Sequence, residues 1–137
     1  MKFLFIGLMA AISMWPFNMS VFAQTRGEGW RLYYIDEPYR FYYDKGSIES
    51  PQKKIIKVWI KVTEKMRGDD ELEQNKIRFQ IDCSKKTYEA LSRITYDTAK
   101  GGVLNSEDYM ENPQKGSVWK DSKTNSQMNS LIENACP

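Results

Sequence analysis

The stretch that decides the fold runs from Asn75 to Asp97, with the sequence NKIRFQIDCSKKTYEALSRITYD. In its first half apolar and polar residues alternate, and the residues on the apolar face are Ile77, Phe79, Ile81 and Cys83. A period of two predicts a half-buried antiparallel strand. The short polar segment SKK that follows is typical of a tight connection between two strands.

The second half of this stretch predicts a return strand, so that the two halves form a hairpin with Cys83 at its tip. Alternation resumes at Tyr88 and continues to Tyr96. Leu91 interrupts the pattern, which predicts either a β-bulge or a strand covered on both faces.

The first 23 residues predict a secretory signal peptide. Lys2 precedes an apolar run over residues 3–12, and a small residue, Ala23, ends the segment at the expected cleavage position. A membrane anchor would need about 20 apolar residues, and Pro16 and Asn18 interrupt the run. No cysteine lies directly after the apolar run, where a lipid would be attached, so we do not expect a lipoprotein. The sequence predicts an exported protein that is periplasmic, displayed on the cell surface or secreted.

The remaining residues, 24–137, have the length of a single domain and contain the two cysteines of the sequence, Cys83 and Cys136. Two cysteines in an exported chain favour a disulfide. A bond between them would tie the C-terminus to the hairpin.

Three more strands and one helix complete the predicted fold. Alternating or aromatic segments predict strands over Trp30–Ile35, Arg40–Asp44 and Lys54–Thr63. Near the C-terminus, Met128, Leu131, Ile132 and Ala135 have helical spacing. The fold class is therefore α+β: a mainly antiparallel sheet of about five or six strands, with one C-terminal helix tied to it by the disulfide.

Composition argues against several functions. The chain has 20 basic and 18 acidic residues, and only Lys2 lies in the predicted leader, so the domain is almost neutral, unlike most nucleic-acid binders. It contains no histidine, which removes the most frequent general base and zinc ligand. No phosphate-binding or cofactor motif is present. We expect a protein that is not an enzyme and holds neither a metal nor a cofactor.

The aromatic block near the predicted start of the domain has two interpretations. It consists of Trp30, Tyr33, Tyr34, Tyr39, Phe41, Tyr42 and Tyr43. Such a block sometimes forms a platform for a carbohydrate or a nucleobase. More often it reflects strand propensity and core packing, which is the interpretation we favour.

Two regions are candidates for contact with a partner. The charged segment Glu64–Glu73 predicts a loop between two strands, and its partner-binding candidates are Lys65, Arg67, Asp69, Asp70 and Glu71. The competing interpretation is an ordinary solvated loop. The other candidate is Trp59, as an aromatic anchor flanked by lysines. We favour the alternative that the C-terminal helix or another loop covers Trp59.

The order of several short motifs resembles the bacterial surface-adhesin protein E family. These motifs are the signal peptide, Trp30, Tyr42-Tyr43-Asp44, Ser47-Ile48, Val58-Trp59, Ile81-Asp82-Cys83, Tyr88, Tyr96-Asp97, Trp119 and a final helix ending at Cys136. The resemblance covers nearly all of the predicted domain.

The resemblance implies a disulfide-clamped antiparallel sheet that attaches to host or extracellular-matrix proteins, with pairing of two copies as a homodimer. In that family basic residues before the cysteine-bearing strand contact ligands, which matches Lys65 and Arg67. Haem binding is also ascribed to the family, and without histidine only Tyr or Met could ligate the iron here. The alternative function is that of a periplasmic inhibitor or envelope accessory protein.

Overall fold

The structure, a computed structural model, describes residues 29–111 and 118–137. The predicted signal peptide lies outside the described residues. The strands are β1 Trp30–Asp36, β2 Tyr39–Asp44, β3 Glu49–Gln52, β4 Ile55–Lys65, β5 Glu71–Asp82, β6 Thr87–Tyr96, β7 Val103–Asp108 and β8 Lys120–Asp121. A 3₁₀ turn, Lys45–Ser47, follows β2, and helix α1, Ser126–Ala135, ends the chain.

All strand pairs are antiparallel, and the main sheet has the order β1-β2-β4-β5-β6-β7. Short β3 pairs with the first part of β4, and β8 pairs with β6. The sheet curls into a half-barrel. The predicted α+β class is confirmed, with six strands on the continuous path and two short ones beside it.

The core lies between one face of the sheet and the apolar stripe of α1. Val58 and Ile81 from the sheet are fully buried, as is Leu131 from the helix. The helix begins after Asn125, whose side chain accepts a hydrogen bond from the Met128 N–H at 3.1 Å. The apolar face of the predicted strands therefore packs against the apolar stripe of the predicted helix.

The predicted disulfide between Cys83 and Cys136 is present. Cys83 follows the last residue of β5, and Cys136 caps the C-terminal end of α1. The bond thus joins the tip of the central hairpin to the end of the helix. The helix end is held against the sheet, which keeps the core covered.

Five strand pairs contain a register shift, and single extra residues on β1, β5 and β6 account for three of these shifts. Leu91 is the extra residue of β6, since Arg78 pairs with Ser92 and Phe79 with Ala90. This confirms one of the two explanations for its break in the pattern. Tyr33 and Gln74 are the extra residues of β1 and β5.

The bulge at Tyr33 turns this residue towards the helix. Gln127 donates a hydrogen bond to the Tyr33 hydroxyl, and Ser130 Oγ donates to the Tyr33 carbonyl oxygen at 2.7 Å. Burial raises the pKa of the Tyr33 hydroxyl well above its usual value, although the Gln127 bond acts in the opposite direction. Part of the aromatic block is therefore core, as expected from strand propensity.

Two expectations about segments were wrong. Glu64, Lys65 and Glu71–Glu73 belong to β4 and β5, so the loop between these strands is only residues 66–70. The polar segment after Asp97, for which no strand was expected, contains β7.

Candidate functional site

The face of the sheet opposite α1 carries a mixed set of aromatic and charged side chains. We call it the open face and define it by Trp30, Tyr42, Trp59, Lys61, Lys76 and Tyr96. Register explains its composition: Tyr42 pairs with Lys61, Lys61 with Lys76, and Lys76 with Ile94. Residues directly opposite each other on neighbouring strands project from the same face.

A pocket of about 570 Å³ lies on the open face. Its apolar lining comes from Trp30 on β1, Trp59 on β4, and Ile94 and Tyr96 on β6. Its volume falls within the range of about 300–1,000 Å³ that is typical of small-ligand sites. Residues far apart in the chain therefore form one concave site in which three aromatic side chains meet.

The polar lining of the pocket includes Asp44, Ser47 and Lys76. Asp44 Oδ1 accepts the Gly46 N–H at 3.0 Å, and Ser47 Oγ accepts the Trp59 N–H at 3.1 Å. These bonds fix the 3₁₀ turn beside Trp59. The rim is tight at Gly29, where a Cβ would lie 2.2 Å from Asp44 Oδ1, so only glycine fits there without a shift.

Two lysines lie over the aromatic rings of the open face. Lys61 Nζ is 4.8 Å from the Trp30 ring centre and 5.2 Å from that of Tyr42. Lys76 Nζ is 5.7 Å from the ring centres of both Trp30 and Tyr96. These distances are within the range of cation–π attraction, so the rings hold Lys76 in the pocket lining and Lys61 beside it, over Trp30.

Lys76 also forms an ion pair with Glu73, at 3.2 Å. Desolvation is the largest influence on the pKa of Lys76 and lowers it, but the hydrogen bonds and charges of Glu73 and Tyr96 outweigh it and raise the pKa overall. Lys76 is therefore cationic at neutral pH. Lys61 forms no ion pair with any of the described residues.

A hydrogen-bonded network around Glu71 lies farther along the same face. Arg40 Nη1 and the Tyr42 hydroxyl donate to Glu71 Oε1 at 2.8 and 2.6 Å, and Thr63 Oγ1 donates to Oε2 at 3.1 Å. Desolvation raises the pKa of Glu71, but these three donors together lower it below its usual value. Glu71 therefore cross-links β2, β4 and β5.

The short turn between β4 and β5 carries the remaining charged candidates. Lys65 ends β4, while Arg67, Asp69 and Asp70 lie in residues 66–70, and all four are exposed. None of them forms an ion pair within the described parts of the chain. The turn closes with a hydrogen bond from Met66 N–H to the Asp70 carbonyl oxygen at 2.9 Å. Gly68 adopts a positive φ of 80°, which glycine tolerates best.

The structure therefore divides the predicted contact residues among three places. Four are together at the β4–β5 turn. Glu71 was expected in the loop but is a strand residue whose carboxylate is occupied by three donors. Trp59 is six residues along β4 from Lys65, a distance of about 20 Å in a strand.

Trp59 is half-buried, and of the two covers expected for it, the C-terminal helix or another loop, the helix is not the one that lies beside it. The helix packs on the opposite face, against Val58 and Ile60, and the 3₁₀ turn Lys45–Ser47 lies beside Trp59 instead. Lys61 and Lys76 were not among the site residues predicted from the sequence. The flanking of Trp59 by lysines was a signal for Lys61, but nothing local in the sequence pointed to Lys76.

Residues 29–111 and 118–137 contain no group of three or more Asp, Glu or Cys side chains able to hold a metal ion. In the same residues no helix has the length and apolar character needed to cross a membrane.

A family model described as surface-adhesin protein E matches residues 30–137. The chain belongs to the surface-adhesin protein E family. Comparisons with curated proteins and with solved structures found no significant match. As a surface-adhesin protein E domain, the protein is adhesin-like, and its family indicates a surface or secreted protein that binds other proteins. The matched region includes the β4–β5 turn, the disulfide and every residue of the pocket lining except Gly29.

Proposed function

We propose that this surface-adhesin protein E domain is exported through a cleaved signal peptide and binds host or extracellular-matrix proteins, without catalysing a reaction. The proposal is based on the exposed, charged turn between β4 and β5 in a chain of this family. Four charged residues stand there, exposed and without internal ion pairs. Because these side chains form no ion pair within the described part of the fold, their charged groups are available to a partner.

The scaffold under this turn supports a binding role. Strands β4 and β5 have 11 and 12 residues and pair along most of their length. Binding residues are often found on short connections held by such rigid elements, because the connection can change without disturbing the core. Lys65 and Arg67 are the contact residues in this proposal, and Asp69 and Asp70 tune the choice of partner through charge.

Glu71 and Trp59 have smaller parts in this proposal. Glu71 fixes the base of the turn through Arg40, Tyr42 and Thr63 rather than touching the partner. Trp59 lies too far from the turn to belong to the same small contact and belongs to the pocket instead.

The test is a pull-down of matrix proteins with the oxidised protein, followed by affinity measurement at low and high salt. A Lys65→Ser/Arg67→Ser variant should bind the captured protein more weakly, and most clearly at low salt, because exposed charges act through screened long-range attraction. The matched control is Lys53→Ser/Lys85→Ser, which removes the same charge at the opposite end of β4 and β5. Equal binding by the two folded variants would contradict the role of the turn.

Cellular location separates this function from that of a periplasmic inhibitor or envelope accessory protein. Protease treatment of intact cells should remove an adhesin and spare a periplasmic protein. The same experiment in cells that express a Cys substitution after the leader would show whether lipid attachment changes display. Purified protein that hydrolyses a substrate in an activity panel would contradict the non-enzymatic assignment.

A further inference from the structure

The pocket on the open face has no part in the proposed contact at the β4–β5 turn. We propose that this pocket binds an acidic sugar unit, with the sugar ring against the aromatic lining and its carboxylate at Lys61 and Lys76. This site is separate from the protein-binding turn and adds a ligand class to the domain.

The lining suits a ligand that is apolar on one side and polar on the other. Trp30, Trp59 and Tyr96 provide aromatic surface within one pocket. Aromatic faces carry partial negative charge and attract the slightly positive C–H groups of a sugar ring. Asp44 keeps one carboxylate oxygen, Oδ2, without a hydrogen bond among the described residues, so it can accept a bond from a sugar hydroxyl.

The two ammonium groups over the rings favour an anion over a cation at the ring faces, while Asp44 in the lining and Glu73 beside Lys76 each add a negative charge. Aromatic clusters of this kind also bind quaternary ammonium ligands, but here Lys61 already lies over Trp30 and Tyr42, and Lys76 over Trp30 and Tyr96. A ligand cation would meet two ammonium groups at the surfaces it needs. A carboxylate would instead receive charge-assisted hydrogen bonds from them, and Lys61 forms no ion pair with a carboxylate of the described residues.

The position of the pocket favours a discrete ligand over an extended peptide. Peptides that bind to sheets commonly add a strand to a free edge. Trp30 lies on the edge strand β1, but the other strand residues of the lining lie on β2, β4, β5 and β6, which are paired on both sides in the sheet order. A ligand there must bind through side chains and ring faces, as a sugar unit does.

The first experiment measures binding of four probes to the oxidised protein by tryptophan fluorescence and saturation-transfer NMR. Glucuronate tests the proposed ligand, glucose the same ring without charge, choline the cation, and a glutamate pentapeptide the acidic peptide. We expect saturable binding of glucuronate, with at least about tenfold weaker binding of glucose, because a charge-assisted hydrogen bond contributes about 1.5–3 kcal/mol. Equal binding of glucose, or preferred binding of choline or the peptide, would overturn the proposal.

The second experiment uses substitutions. Lys61→Gln and Lys76→Gln should each weaken glucuronate binding, by about tenfold for loss of a charged donor. Lys57→Gln is the matched control, since it removes the same charge from β4, on the face that carries Lys61 but outside the pocket lining, and it should leave binding unchanged. Circular dichroism and melting temperature verify that each variant is folded. Normal glucuronate binding by both pocket variants would overturn the site.

A third comparison distinguishes the source of the acidic sugar. A hyaluronan tetrasaccharide presents glucuronate within a host-type chain, whereas free glucuronate does not. Stronger binding of the tetrasaccharide indicates recognition within a glycan, and stronger binding of the monosaccharide indicates a free ligand. The Lys65→Ser/Arg67→Ser variant should bind either probe normally. Failure of the turn as a protein contact and failure of the pocket as a sugar site are therefore separate results.

Discussion

The two faces of strand β4 show how one segment serves both stability and binding. Val58 and Ile60, on one face, are 0% and 1% exposed beneath the helix. Trp59 and Lys61, on the other, remain half-exposed beside the pocket. The covered face excludes water by packing against α1, whereas the open face leaves aromatic rings and ammonium groups accessible. The difference between the two faces shows that apolar residues of β4 become core where the helix covers them.

The largest expected effect comes from releasing the helix from the sheet. A Cys83→Ser/Cys136→Ser variant should lose about 4 kcal/mol of unfolding free energy, because the disulfide closes a loop with a sequence separation of 53 residues. Urea unfolding of the oxidised protein and the variant measures this loss. Reduction of the native protein should reproduce it. Equal stability of all three forms would mean that packing alone keeps the covered face closed.

A smaller loss is expected from a cavity under the helix. Leu131 is 0% exposed, and Leu131→Ala should cost about 3 kcal/mol, within the range measured for buried leucines. The control is Glu133→Ala in the exposed part of the same helix, which should change stability by no more than about 0.5 kcal/mol. A loss below that limit for Leu131→Ala would show that the covered face tolerates a gap.

The smallest effect concerns the open face and depends on pH. Glu71→Gln should cost about 1 kcal/mol at pH 7, since it weakens the hydrogen bonds from Arg40, Tyr42 and Thr63. The folded pKa of Glu71 is below its ordinary value of 4.5, so the ionised carboxylate stabilises the fold above that pH. The contribution is lost as pH falls through the folded pKa.

Unfolding measured between pH 7 and pH 3 tests this dependence. The stability difference between the native protein and Glu71→Gln should shrink towards zero at the acid end. Glu37→Gln, at an exposed turn residue, is the control substitution and is measured over the same pH range. A constant difference for Glu71→Gln across the range would rule out titration of this carboxylate as its source.

Alternation and helical spacing predicted the parts of the fold in which burial itself is periodic. The central hairpin, β4 and α1 all follow such patterns, and their bounds differ from expectation by two residues or fewer except at the charged end of the hairpin. At that end, Glu64, Lys65 and Glu71 belong to the strands, because backbone pairing continues beyond the residues whose side chains enter the core. Arg40, on a neighbouring strand, donates a hydrogen bond to the Glu71 carboxylate. Strand β7 was not predicted for a related reason. Its first four residues are all exposed, so buried and exposed residues do not alternate along it.

The candidate site was only partly predictable. Lys65 and Arg67 follow from charge on a connection between strands, and their exposure agrees with that expectation. The pocket did not follow from any local pattern, because Trp30, Trp59, Lys76 and Tyr96 come from four strands separated in sequence. Trp59 was considered as a contact residue and Trp30 as part of an aromatic block, but nothing in the sequence indicated that they line one pocket.

By itself, the sequence determined which side chains of each strand and helix are apolar, which elements they form, and that its two cysteines were available to pair. The first two properties depend on residues close in the sequence, and the pairing of the cysteines depends on the oxidising environment that an exported protein reaches. Only the tertiary structure decided which face of the sheet receives the helix, and which distant residues share the other face. Strand register and sheet curvature set those relations, and they depend on long-range pairing that no short segment encodes.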